Sequence, residues 1–164
     1  LVGSEMCIRD SHQVCGKTTV LRDLVRRIST GIEKIEFKGI NVGIADERGE
    51  IAAMYKGVPQ NDVGIRTDVL DNIPKAIGMT MLIRSMSPKV IVADEIGKEE
   101  EISAINYAVC SGIKGIFTAH AGTLQEVFQN INLKRLIELK LIWKVIVLNA
   151  KEKGKIKEVF DVLK

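Results

Sequence analysis

The sequence has little from which to build a disulfide framework: three cysteines, Cys7, Cys15 and Cys110, in no paired spacing. That pattern excludes a disulfide-stapled fold and a cysteine zinc site, and it favours a reducing cytoplasm. No apolar run approaches the roughly 20 residues needed to span a bilayer, so no transmembrane helix is expected. The first residues lack the basic stretch and the apolar segment of about 7–15 residues that mark a secretory signal. Charge of one sign is not in excess. Lys and Arg number 24 against 21 Asp and Glu, giving +3 with both signs interspersed. That is too small a field to argue for a nucleic-acid partner. There is no internal repeat, no low-complexity tract and no linker, which excludes collagen-like and disordered chains.

What is present suits a globular domain. The 164 residues are 46% hydrophobic and 27% charged, enough chain for one domain with its own core and no need of a stabilising metal. Residues 1–11 are set apart. Leu1 to Asp10 resembles the translation of a transposase sequencing adapter, whose end, ATG TGT ATA AGA GAC, encodes Met6 to Asp10. A following AG begins the codon for Ser11. On that reading the native domain is 12–164, truncated at its N-terminus and lacking the strand ahead of its first loop. Such a fragment is expected to bind nucleotide poorly.

The rest alternates between two periods. Val20, Leu21, Leu24, Val25 and Ile28 form one apolar stripe, which predicts a helix over 17–30 with Gly31 as C-cap. Further helices are predicted over 75–86, from Glu99 to a stop at Gly112, near 123–130 and near 132–140. Three short apolar runs read as strands: 40–45, 90–93 and 115–118. The 55–74 stretch, rich in Gly, Pro, Asn and Asp, reads as loop. Residues 144–148 and 156–160 read as a hairpin. Uniformly apolar strands alternating with helices mean a mostly parallel sheet covered by helices, an α/β fold.

The candidate chemistry lies at strand ends. Cys15-Gly16-Lys17-Thr18-Thr19 opens the first helix and matches the back half of a phosphate-binding P-loop. There, backbone N–H groups and Lys17 would hold phosphate oxygens and Thr18 would ligate Mg²⁺. Ser11 stands where the full motif has its first Gly, and an ordinary Gly-capped helix start is the alternative. Val90 to Ala93 followed by Asp94-Glu95 fits a Walker B strand. Asp94 would hold Mg²⁺ through water and Glu95 would act on an attacking water. The competing reading is a strand followed by an acidic helix cap. Arg48, Arg66 and Arg84 could each neutralise a transferring phosphoryl group or form surface ion pairs. Asp46 and Glu47 end another strand and could bind metal or water near the γ-phosphate, or pair with Arg48. His120 ends the strand after 90–93, where a polar γ-phosphate sensor or a structural histidine would fit.

Several longer stretches carry a resemblance. Residues 15–24, 43–52, 57–71, 81–97 and Thr118-Ala119-His120-Ala121 resemble the stage III sporulation AA family, RecA-like ATPases of endospore-forming bacteria related to type II and type IV secretion ATPases. The 57–71 stretch is the most specific, because generic P-loop proteins lack it. The resemblance implies a RecA-like P-loop core with ATP and Mg²⁺, a homo-hexamer, and membrane-embedded partners of the sporulation channel. It also implies a cytoplasmic, peripheral place on the mother-cell side of the forespore membrane. By family motif, Cys15 to Thr19 contact nucleotide, Asp94 and Glu95 form Walker B, and Asp46 to Arg48 resembles an acidic box. His120 resembles a histidine box, and Arg66 and Arg84 become candidates for fingers acting across a subunit boundary. His12, Gln13 and Val14 depart from the family loop, which carries prolines there. The family also has an N-terminal domain not matched in this sequence. A soluble P-loop kinase and a non-enzymatic, nucleotide-gated scaffold are the rival functions.

Overall fold

Side-chain period decides which face of each element is covered. In the computed structural model, which describes residues 5–9, 16–121, 123–149, 152 and 154–162, the elements run in chain order. They are β1 (Glu5–Arg9), α1 (Lys17–Thr30), β2 (Val42–Asp46), β3 (Met54–Tyr55), β4 (Val58–Pro59), β5 (Thr67–Asp71) and α2 (Lys75–Met86). Then come β6 (Val90–Ala93), α3 (Glu99–Cys110), β7 (Lys114–His120), α4 (Leu124–Gln129), α5 (Ile131–Glu138), β8 (Lys144–Leu148) and β9 (Ile156–Asp161). Among the described residues, seven strands form one sheet in the order β5-β2-β6-β7-β1-β8-β9. Its neighbours pair in parallel except β8 and β9, which form the expected antiparallel hairpin.

Alternate residues of each central strand serve opposite faces. Val42, Ile44, Val90, Val92 and Ile116 pack with Leu21, Val25 and Ile28 of α1. Ala45, Ile91, Ala93 and Phe117 pack with Met79 and Leu82 of α2 and with Ile102 and Ile105 of α3. Small residues on the second face let α2 approach. A Cβ on Gly78 would stand 3.3 Å from that of Ala45. Both faces are covered, which is why these strands carry no polar alternation.

Four strands differ from the sequence reading. The strand expected to be missing ahead of α1 is present. β1 runs between β7 and β8, with Glu5 beside Ile116 on one side and Lys144 on the other. Without it, β7 and β8 would face each other across a gap, each with a row of unpaired N–H and C=O groups, and one segment satisfies both rows. The α/β unit therefore includes residues 5–9, not only 12–164. Within the predicted loop, Thr67 to Asp71 forms the edge strand β5, paired to β2 alone and half-buried along its length. A one-sided, half-covered strand needs no apolar run, so it left no periodic signal. Met54–Tyr55 and Val58–Pro59 form a small antiparallel pair in the same stretch.

Candidate functional site

Parallel pairing brings the polar strand ends to one edge. Ala45 of β2 is in register with Ala93 of β6, and Ala93 with Phe117 of β7. Residues 46–48, 94–95 and 118–120 therefore cluster at the C-terminal edge of the sheet, where open α/β sheets bind ligands. The N-terminus of α1 joins them. Its N-cap, Gly16, is in the left-handed region at φ 81 with no side-chain cap. Glycine adopts that turn without Cβ strain. The first-turn N–H groups consequently lack a capping side chain, a suitable arrangement for an anion.

Lys17 is buried, and its Nζ lies 3.3 Å from the Ala119 carbonyl oxygen and 3.2 Å from His120 Nδ1. The other ring nitrogen, Nε2, faces Glu95 Oε1 at 2.8 Å. The other Glu95 oxygen, Oε2, accepts from Arg48 at 2.7 Å. Burial raises the Glu95 pKa, but the His120 hydrogen bond and the charges of His120, Arg48 and Lys17 outweigh it. The carboxyl is held below its ordinary value. Beside it, Thr18 Oγ1 donates to Asp94 Oδ2 at 2.7 Å. The hydroxyl of Thr118, fully buried, donates to Asp94 Oδ1 and accepts from the Glu95 N–H at 2.8 Å.

Glu95 sits at φ +53, a left-handed conformation that costs a residue with a Cβ roughly 1–2 kcal/mol. Its surroundings hold it there. The Thr118 hydroxyl fixes the Glu95 N–H, and Lys75 Nζ donates to the carbonyls of Asp94 and Glu95 at 2.9 and 2.7 Å. Sequence reasoning missed Lys75 and Thr118. A clue to Lys75 existed: a lysine in the first turn of a helix opposes the macrodipole, so it needs an acceptor. Buried Glu101 provides one at 3.3 Å, and its other oxygen caps α3 by accepting from the N–H groups of Gly97 and Lys98. Glu47 lies 3.8 Å from the same ammonium.

The other predicted residues separate. Asp46 is 3% exposed, and its carboxylate accepts from the N–H groups of Glu50, Ile51 and Ala52 at 2.9–3.2 Å. It shapes the loop that carries Arg48. Arg22 of α1 ties the same loop through the carbonyls of Glu50 and Ile51. Arg66 is at the far end of α1. Its guanidinium donates to the carbonyls of Ser29 and Thr30, and its N–H to Ser29 Oγ. The 14-residue helix puts that point about 20 Å from Lys17. Gly64 makes this docking possible, since a Cβ there would fall 2.6 Å from Ser29 Cβ. Arg84 lies over the Tyr107 ring, 5.9 Å from its centroid, in a groove between α2 and α3. Thr19 is exposed in the first turn of α1. Cys15 and the departures at His12 to Val14 lie outside the described residues.

Comparison with known proteins bears on the family and the fold. The chain matches the family described as sporulation stage III, protein AA, over residues 4–163. It is 43% identical over 147 residues to the stage III sporulation protein AA of Bacillus subtilis, covering 89% of this chain and 47% of that protein. The chain thus spans about half the length of that relative. The fold is shared with secretion ATPases. The Legionella pneumophila ATPase DotB superposes with a TM-score of 0.66 at 20% identity, over 97% of this chain and 46% of that one. The VirB11 ATPase of the Brucella suis type IV secretion system, solved with sulphate, gives 0.60 at 17% identity over 98% and 48%. A family match across almost the whole chain and an alignment at this identity lead to one conclusion: the chain belongs to the sporulation stage III protein AA family.

Proposed function

We propose that this domain binds Mg-ATP at the α1 N-terminus and, in the intact protein, hydrolyses it to drive assembly or transport during endospore formation. The observation that carries the proposal is the Thr18 hydroxyl bonded to the Asp94 carboxylate at 2.7 Å, with Lys17 and Glu95 on either side. The donor set fits Mg²⁺, which binds through one or two protein oxygens with waters and phosphate oxygens filling the rest. Thr18 and Asp94 would hold it, and its charge would offset that of the β- and γ-phosphates. The first-turn N–H groups of α1, including those of Thr18 and Thr19, cradle phosphate oxygens. Lys17 exchanges the Ala119 carbonyl and His120 for a phosphate. Glu95 accepts a proton from water as the water oxygen bonds to the γ-phosphorus and the bond to the β–γ bridging oxygen breaks. Arg48 stands beside Glu95 and is the best placed of the three arginines to offset charge on the transferring group. His120 joins Lys17 to Glu95 and suits a sensor of the γ-phosphate. Asp46 acts through the loop that carries Arg48, and Glu47 flanks the site.

The wider setting rests on the family. It is a homo-hexamer on the cytoplasmic, mother-cell side of the forespore membrane, engaging membrane-embedded channel proteins. Among the described residues no helix is long and apolar enough to cross a membrane. The test is Mg²⁺-dependent phosphate release by the full-length gene product beside Glu95→Gln. A fall of about 100-fold or more with ATP still bound supports hydrolysis through Glu95. Bound ATP with no release from the unsubstituted protein would favour a nucleotide-gated scaffold instead. Phosphate passed to a small acceptor would favour a kinase.

A further inference from the structure

We infer that Lys75 is a positioning residue for this site, an internal clamp that sets the direction of the Glu95 carboxylate; the inference rests on the hydrolase reading. The side chain enters from the first turn of α2 and is about nine-tenths buried. Its ammonium has three donors and four oxygen neighbours. It donates to the carbonyls of Asp94 and Glu95 at 2.9 and 2.7 Å, lies 3.3 Å from Glu101 Oε1, and lies 3.8 Å from Glu47 Oε2. Gripping two successive carbonyls fixes the two peptides that flank Glu95. Their relative orientation holds Glu95 at φ +53.

Ile96, the next residue, is buried, and its N–H donates to the Thr118 carbonyl, so the chain must return to the sheet at once. With the peptide between Asp94 and Glu95 held from below by Lys75 and from above by Thr118, the side chain of Glu95 leaves toward His120 and Arg48. Glu101 has a double task. It neutralises Lys75 and caps α3, so the clamp is anchored to two helices that flank the site. Lys75 meets Asp94 at its backbone carbonyl, not at the carboxylate that Thr18 bonds, and its hydrogen bonds go to residues 94 and 95 rather than to the helix N-terminus that would hold phosphate. It acts through Glu95, so its loss should separate catalysis from binding.

The experiment uses the full-length gene product with Lys75→Met, which keeps the length of the side chain and removes its donors. ATP affinity is read from titration with a fluorescent ATP analogue, and single-turnover phosphate release at saturating Mg-ATP, at a temperature where circular dichroism shows the folded state. The expected result is affinity within about threefold of the unsubstituted protein and release slowed about 100-fold, the scale on which a misplaced catalytic group is felt. A crystal structure of the variant is expected to show Glu95 relaxed to negative φ and its carboxylate withdrawn from His120. Unchanged release, or affinity and release falling together, would overturn the inference. So would a variant structure that keeps Glu95 near φ +53. If Lys75→Met does not fold, Glu101→Gln takes its place, leaving the lysine but removing its buried counter-charge. Slower release with affinity retained supports the clamp, and an unchanged rate overturns it. If the unsubstituted protein binds ATP and releases no phosphate, the hydrolase reading fails, while the variant's crystal structure still decides the clamp.

Discussion

Two strands of this sheet run out through the same three residues, Ala45-Asp46-Glu47 and Ala93-Asp94-Glu95, and the sheet holds the two alanines in register. Their carboxylates nevertheless have different surroundings. Asp46 is sealed, and its two oxygens take three backbone N–H groups of the loop after it. Asp94 stays partly open and shares its oxygens with two hydroxyls, Thr18 and Thr118. A hydroxyl can turn toward a metal or a water, whereas a backbone N–H held in a loop cannot. Glu47 belongs to a loop that turns back at Gly49, whereas Glu95 is fixed in a left-handed turn and aimed at His120 and Arg48. The residues just past each acidic pair account for the difference. After Glu47 the chain runs on as Arg48-Gly49-Glu50, and the N–H groups of 50–52 fold back onto Asp46. After Glu95, Ile96 returns to the core, and Asp94 accepts from the N–H of its neighbour Glu95, at 3.1 Å, where Asp46 takes the N–H groups of a loop.

The comparison can be broken at Asp46 with the largest effect on stability. Asp46→Ala leaves three buried or half-buried N–H groups without their acceptor, and an unsatisfied group costs about 1–3 kcal/mol. With partial relaxation the expected loss is about 2–4 kcal/mol in denaturant unfolding, and a loss below about 0.5 kcal/mol would contradict the structural role. A smaller effect is expected at the far end of α1. Arg66→Ala gives up a half-buried hydrogen bond to Ser29 and an exposed one to Thr30 and should cost about 1 kcal/mol. In the folded protein it should leave ATP affinity unchanged, and weaker ATP binding would return Arg66 to the site within its own chain. The smallest effect sharpens the second pair. His120→Ala removes the hydrogen bond and charge that lead in lowering the Glu95 pKa, so burial should move that pKa upward, as read by carbon NMR of the carboxyl group. Because the folded carboxyl titrates below its ordinary 4.5, its contribution to stability is complete above that pH and is lost as pH falls through the folded value. In His120→Ala that contribution should be smaller and its loss complete at a higher pH. An unmoved Glu95 titration would mean that His120 does not control it.

The contrast between the two pairs also marks how far sequence reasoning reached. Asp94, Glu95 and His120 were legible because each stands at or just past the end of an apolar strand, and parallel pairing carries strand ends to a common edge. Gly16 to Thr18 was legible from residue type alone. The helices of 75–86 and 99–110 came from their periods and from Gly112 and Pro88. Asp46 was not separable from Asp94, since identical tripeptides differ only in which N–H groups the next residues offer. Lys75 reads as a surface lysine until α2 is docked beneath β6. Edge strand β5 was hidden by its half-covered face. β1 was missed because residues 1–11 were set apart as resembling an adapter translation, and its partners β7 and β8 lie more than 100 residues further along the chain.

The most direct measurement sets Asp94→Ala beside Asp46→Ala in the full-length gene product. Each is assayed for unfolding free energy and for Mg²⁺-dependent single-turnover phosphate release at a temperature where both are folded. Asp94→Ala is expected to lose release by about 100-fold or more while giving up about 1–2 kcal/mol of stability, chiefly for the Thr118 hydroxyl it leaves without an acceptor. Asp46→Ala is expected to lose stability first and to keep most of its release while folded. The reverse pattern, with Asp46→Ala folded but inactive and Asp94→Ala active, would contradict the division of labour between the two strand ends.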